Sequence, residues 1–277
     1  MAFGLLCASS GVTGVAIPFA IEALLLRFGY QTTLRALAVA LAVVTGPLIP
    51  LFKGRLPSSR TVAVGRTDWT FLAHPLFWTY FVSNIIQGLA FFFPGLYLPS
   101  YATAIGLSSA QGALLVALLS VSQVWGQFSF GYLSDRRVPL NLLILASTVV
   151  SAIAVSAVWG AARSLAVLVV FSLVYGFFAA GYSAMWARMA SAVSEEPSAS
   201  MAMFGFFNFG KGVGNVVTGP ISACLLSRAV IVENYAIFRY RGLVMFSTAC
   251  LLCSALCIGA WYARCKRTSS ARARQAS

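Results

Sequence analysis

The chain has 277 residues, of which 60% are hydrophobic and 9% charged, with a formal net charge of +13 and a mean hydropathy of +0.86. That profile excludes an ordinary soluble domain. Crossing about 30 Å of hydrocarbon at about 1.5 Å per residue takes about 20 apolar residues. Eight stretches approach or exceed that length: 3–26, 34–52, 75–99, 110–133, 139–159, 164–187, 201–226 and 241–263. Backbone polar groups in lipid must pair within the segment or within a closed barrel, so uninterrupted apolar runs predict helices. The expected fold class is an all-α polytopic membrane protein with eight transmembrane helices.

The first span begins almost at Met1, and MAFGLLCASS lacks the charged n-region of a signal peptide, so it reads as helix. Its Ser9, Ser10, Gly11, Thr13 and Gly14 suit close helix packing. Glu22, near its outer end, reads as a carboxylate reaching the interface or, in the sharper alternative, as a proton carrier. The second span closes in GPLIP, and residues 53–74 form the longest polar connection. The expected organisation is therefore a two-helix segment over 1–52, a cytoplasmic central loop over 53–74, a six-helix bundle over 75–263 and a basic cytoplasmic tail over 264–277. His74, before Pro75, suits the interface better than catalysis or a metal.

The span 75–99 carries Tyr80, Asn84 and Gln87 on one face, followed by Phe91, Pro94 and Pro99. Prolines in a membrane helix free carbonyls and allow bends. The next span sets Ser120, Gln123 and Gln127 at helical spacing, and 164–187 sets Tyr175, Tyr182 and Trp186 on one face. These faces fit either a cavity lining or a hydrogen-bonded seam between helices. The span 201–226 forces the choice, because Lys211 sits at its middle. An ammonium at that depth costs about 2.5–3.5 kcal/mol on insertion scales and normally faces protein or water. Asn208, Lys211, Asn215, Thr218 and Ser222 recur at steps of three and four, forming one polar face. Gly205, Gly212 and Gly219 recur at steps of seven and predict a smooth face for another helix.

If the N-terminus is cytoplasmic, inside segments hold twelve basic residues (Lys53, Arg55, Arg60, Arg66, Arg136, Arg137, Arg188, Arg264, Lys266, Arg267, Arg272, Arg274) and outside segments six (Arg27, Arg35, Arg163, Arg228, Arg239, Arg241). The positive-inside rule then places both termini in the cytoplasm and removes any need for nucleic acid to explain the charge. Of six cysteines, five lie in spans and Cys265 just beyond the last, so no disulfide framework is expected. Cys250, Cys253 and Cys257 share a face but suit packing better than a soft-metal site. Gly205 to Lys211 imitates a phosphate-binding loop, yet Gly212 stands where Ser or Thr is required and no strand precedes it. No metalloprotease or nucleophile-elbow pattern appears, so no enzyme, metal or cofactor is expected. A weak repeat links Gly11-Val12-Thr13-Gly14 through Pro18 with Gly212 through Pro220. Read as the trace of an internal duplication, it predicts four helices missing ahead of the first.

The loop Gly131-Tyr132-Leu133-Ser134-Asp135-Arg136-Arg137 turns two helices tightly and places an acid beside two cations. It resembles the G-x-x-x-D-R signature of major facilitator transporters. PLFWTYFVSNIIQGLAFFFPGLYLPSYATAIGLSSAQGALLVALL, GQFSFGYLSDRR and GKGVGNVVTGPIS together resemble the monocarboxylate-transporter-like branch found in fungi. The resemblance implies a partial major facilitator fold matching helices five to twelve of a twelve-helix carrier. It also implies that 75–99 and 164–187 line a central cavity and that Gly131, Asp135, Arg136 and Arg137 act in the conformational switch. That branch carries an Asp/Arg pair in its eighth helix; residues 112–130 have neither, which leaves Lys211 as the cation to meet an anion.

The expected function is secondary active transport of a small organic solute by alternating access, a monocarboxylate with a proton first among the candidates. Lys211, Asn208 and Asn215 are the leading substrate contacts, with Tyr80, Asn84, Gln87, Tyr175 and Tyr182 behind them and Glu22 the candidate for proton coupling. The alternative is a truncated, non-transporting membrane protein that retains only partner binding or no activity. The expected partners are the bilayer and an anionic solute, in the plasma membrane rather than an organelle.

Overall fold

A computed structural model describes residues 2–51, 68–136, 138–229 and 236–275. The first helix, α1 (Ala2–Thr45), is broken at Gly29, whose φ of 72° and ψ of 172° fall where side-chain-bearing residues rarely go. There follow α2 (Pro75–Ala104), α3 (Ser109–Ser134), α4 (Leu140–Ile153), α5 (Leu165–Ala184), the short α6 (Trp186–Val193), α7 (Pro197–Ala229) and α8 (Ala236–Gln275). α4 continues as a π turn, Ala154–Trp159, in which the Gly160 N–H reaches back five residues to the Val155 carbonyl at 3.1 Å.

Helix starts follow local chemistry. His74 Nδ1 accepts from the Leu76 N–H at 3.3 Å ahead of α2, which gives this histidine a capping role. α3 opens with a capping box: Ser108 Oγ accepts from the Gln111 N–H at 3.3 Å and Gln111 Oε1 accepts from the Ser108 N–H at 3.0 Å.

Among the described residues six helices are long and apolar enough to cross a membrane: Ile17–Pro50, Pro75–Ala104, Ser109–Ser134, Leu140–Trp159, Leu165–Val193 and Tyr240–Arg267. This corrects the expected eight, for two physical reasons. α1 is two helices that meet at a kink at Gly29, between the spans expected at 3–26 and 34–52, and a single apolar stretch, Ile17–Pro50, runs across that kink. α7 is long enough at 33 residues, but Asn208, Lys211 and Asn215 dilute its apolar character.

α2 packs against α3, α7 and α8, α3 packs against α5 and α1, and α4 lies on α5 and α8. Small residues permit the closest approaches, since helix contacts in lipid rest on packing. A Cβ at Gly176 of α5 would stand 2.6 Å from the Leu119 carbonyl oxygen of α3. A Cβ at Gly214 of α7 would stand 2.8 Å from the Gly88 carbonyl carbon of α2, and one at Gly88 would meet the Lys211 Cα at 3.2 Å. The α7 glycines that pack are thus Gly210 and Gly214. Gly205, Gly212 and Gly219, read as the helix-docking face, have open space where a Cβ would stand.

Two buried clusters fill the bundle. One stacks Trp159, Phe171 and Tyr175 beside Tyr101 and Tyr240; the other gathers Phe71, Phe77, Met185, Trp186 and Phe207. Cys250 is half-buried against the first cluster, while Cys253 points outward and packs less than its apolar span suggested.

Candidate functional site

An open cleft of about 420 Å³ lies between α7 and the helices facing it. α7 supplies Phe204, Asn208, Lys211, Gly212 and Asn215; α2 supplies Phe92, α3 Gln127, α5 Ser183 and α6 Trp186. Three of the five polar residues expected on one face of this helix therefore share the cleft. The other two turn into the bundle. Thr218 Oγ1 donates to the Gly214 carbonyl at 2.8 Å and Ser222 Oγ to the Gly219 carbonyl at 2.7 Å, and both are buried.

The Lys211 ammonium lies 3.6 Å from the Phe91 ring centroid and 5.3 Å from that of Trp186. Such contacts reach about 2 kcal/mol when desolvated. Among the described residues no carboxylate pairs with Lys211. Beside it, Asn208 Nδ2 donates to the Phe204 carbonyl of its own helix at 2.9 Å. Asn215 Oδ1 and Trp186 Nε1 are buried with no hydrogen-bond partner among the described residues.

The second-rank candidates stand elsewhere, in seams between helices. Tyr80 OH donates to Asn141 Oδ1 at 3.0 Å. Asn84 Nδ2 donates to the Phe207 carbonyl at 2.6 Å and Gln87 Nε2 to the Ala179 carbonyl at 3.5 Å, while Asn84 Oδ1 and Gln87 Oε1 have no partner among the described residues. Tyr182 OH meets Ser83 Oγ at 3.1 Å, and Ser83 Oγ meets Ser254 Oγ of α8 at 2.8 Å. Tyr175 has a specific reason to be where it is. Pro94 has no N–H to offer the carbonyl four residues back, and Tyr175 OH donates to the Ala90 carbonyl at 3.4 Å and the Phe91 carbonyl at 3.1 Å. Glu22 is partly buried on α1 and is not among the cleft residues.

In the Gly131–Arg137 loop, the Asp135 N–H caps α3 on the Gly131 and Tyr132 carbonyls at 3.3 and 3.2 Å. Arg136 lies over the Tyr132 ring at 4.8 Å and donates to its hydroxyl, and Arg137 lies outside the described residues. The loop's link to another helix comes from Arg188 of α6, which donates to the Ser134 carbonyl at the C-terminus of α3 and complements that helix's dipole. Reading the sequence did not single out Arg188, because its partner is a backbone oxygen. Trp186 and Gln127 were visible only by spacing, and Ser183 was not among the expected site residues. The break at Met185, with φ −88° and ψ −3°, separates α5 from α6 just ahead of Trp186.

Comparison with known proteins agrees with this architecture. Residues 80–277 match the Major Facilitator Superfamily. The MFS transporter asaE of Aspergillus flavus is 25% identical over 230 residues, 83% of this chain and 52% of its own. The aspyridones efflux protein apdF of Emericella nidulans is 25% identical over 256 residues, 88% of this chain and 50% of its own. Monocarboxylate transporter 12-B of Danio rerio is 27% identical over 190 residues, 68% of this chain and 39% of its own. The chain spans about half the length of the curated relatives it matches. The match over residues 80–277 and the apolar helices establish this chain as an integral, multi-pass membrane protein belonging to the Major Facilitator Superfamily.

Proposed function

We propose that this chain serves secondary transport of a small organic anion by alternating access, with Lys211 as the group that meets the anion and Asn208 and Asn215 beside it. The observation that carries the reading is an ammonium at mid-helix, open to a cleft, resting on two aromatic faces with no carboxylate to neutralise it among the described residues. A structural lysine in lipid is normally paired. A monocarboxylate is the first substrate class to test and a proton the first co-ion, with Glu22 its candidate carrier. Tyr80, Asn84, Gln87, Tyr175 and Tyr182 act here as the seams that hold α2 and α5 in place around the cleft, and Gly131, Asp135, Arg136 and Arg137 as the switch loop braced by Arg188. Both termini face the cytoplasm in this reading, and the plasma membrane is the location. In a second reading the 277 residues bind without transporting; the chain spans about half the length of these relatives.

The test is uptake of labelled lactate, pyruvate and other small acids into proteoliposomes under an inward proton gradient. The transport reading expects accumulation that collapses with the gradient and falls at least tenfold in Lys211→Ala. Binding without uptake would favour the second reading. A transporting preparation whose affinity and rate are unchanged by Lys211→Ala would remove Lys211 from the site.

A further inference from the structure

We propose that the anion taken by the Lys211 cleft is aromatic and carries a hydrogen-bond donor of its own, an inference that rests on the anion-binding reading above. The first argument is size. A volume of about 420 Å³ equals that of about 14 water molecules at about 30 Å³ each. A three-carbon acid would leave most of that space to water. The second argument is the walls. An anion brought to the ammonium arrives beside the Phe91 and Trp186 rings, with Phe92 and Phe204 also at the cleft. Flat rings attract a flat ligand by offset or edge-to-face contact, which a saturated ring of the same size cannot reproduce.

The third argument is the unmet hydrogen-bonding capacity. The ammonium has three N–H donors, and among the described residues none finds an acceptor. Trp186 Nε1 is a further donor without a partner, and Asn215 Oδ1 an acceptor without one. Two donor groups and one acceptor call for a carboxylate together with a hydroxyl or N–H on the same ligand. A hydroxyaryl acid has that inventory; lactate has it without the ring.

The experiment is equilibrium dialysis of the purified full chain in lipid nanodiscs against labelled 4-hydroxyphenylacetate, cyclohexylacetate and lactate. The expected result is that 4-hydroxyphenylacetate binds at least tenfold tighter than either of the others, and that Lys211→Ala weakens it at least tenfold. Trp186→Leu should narrow its advantage over cyclohexylacetate at least twofold without erasing it, because Phe91, Phe92 and Phe204 remain. Trp186→Phe, which retains a ring and guards against misfolding of the leucine variant, should keep the preference over cyclohexylacetate. Equal or tighter binding of cyclohexylacetate or lactate, with all three still weakened by Lys211→Ala, would overturn the aromatic assignment and leave the anion site standing. Binding of none of the three, or binding indifferent to Lys211→Ala, would overturn both.

Discussion

Lys211 carries a choice between holding a ligand and holding the fold, and its surroundings separate the two. A buried charge that is only a structural partner is expensive to orphan, whereas one facing a ligand can be replaced by an apolar side chain with little loss of stability or a gain. Lys211→Met is therefore expected to leave the thermal midpoint unchanged or raised while anion binding falls at least tenfold. A midpoint lowered by several degrees would identify the ammonium as a structural keystone. Tyr175 gives the opposite case. Its hydroxyl serves carbonyls beside Pro94, so Tyr175→Phe should cost about 1 kcal/mol of stability without touching ligand affinity. Denaturation of the detergent-solubilised protein would read it. The sequence announced both residues, but not their division of labour. A charge at mid-span is conspicuous in one dimension, while a tyrosine's duty to a proline on another helix exists only once the two helices meet.

At the scale of elements, spacing located the helices and misjudged which side of α7 packs. Glycines at steps of seven are a plausible seam, and glycines at a step of four are another; only the neighbour decides. That neighbour is α2, whose Gly88 and Leu89 lie against Gly214. Gly214→Ala is expected to lose about 1–3 kcal/mol through forced separation of α2 and α7. Gly212→Ala, on the open face, should be neutral or stabilising by up to about 1 kcal/mol through helix propensity. A reversed order would restore the spacing-based assignment. The short turn Thr70–Ala73 ahead of α2 adds a dependence on pH. The Thr70 backbone N–H, then its hydroxyl, hold the Asp68 carboxyl below the usual carboxylate range. A depressed folded value stabilises above the free carboxylate's pKa of about 3.9 and is lost as pH falls through the lowered value. Hydrogen exchange at the Thr70 amide should keep its protection from neutral pH to about pH 5 and lose it only in stronger acid.

For the molecule as a whole, hydropathy and the G-x-x-x-D-R loop pointed to the right class and family, because membrane length and backbone pairing constrain a sequence at every residue. What they left out was contact. The cleft draws on five helices, and its Trp186 becomes a wall only because the chain breaks at Met185. Arg188, which ties α6 to the end of α3, was silent for the same reason. Arg188→Ala is expected to accelerate hydrogen exchange across residues 131–136 while leaving binding at the cleft unchanged. Coupled loss of both would show that the loop and the cleft share one equilibrium.

The π turn at the end of α4 makes the spacing of that segment, and not only its composition, a determinant of the fold. One extra residue per turn is what aims Trp159 at Phe171, with ring centroids 5.4 Å apart. Deleting the exposed Ser156 would rewind the segment to ordinary pitch and swing the indole by about 100°. The loss of a single small surface residue should then disrupt the Trp159, Phe171 and Tyr175 cluster more than trimming any of its neighbours to alanine, a form of damage to which point substitution is blind.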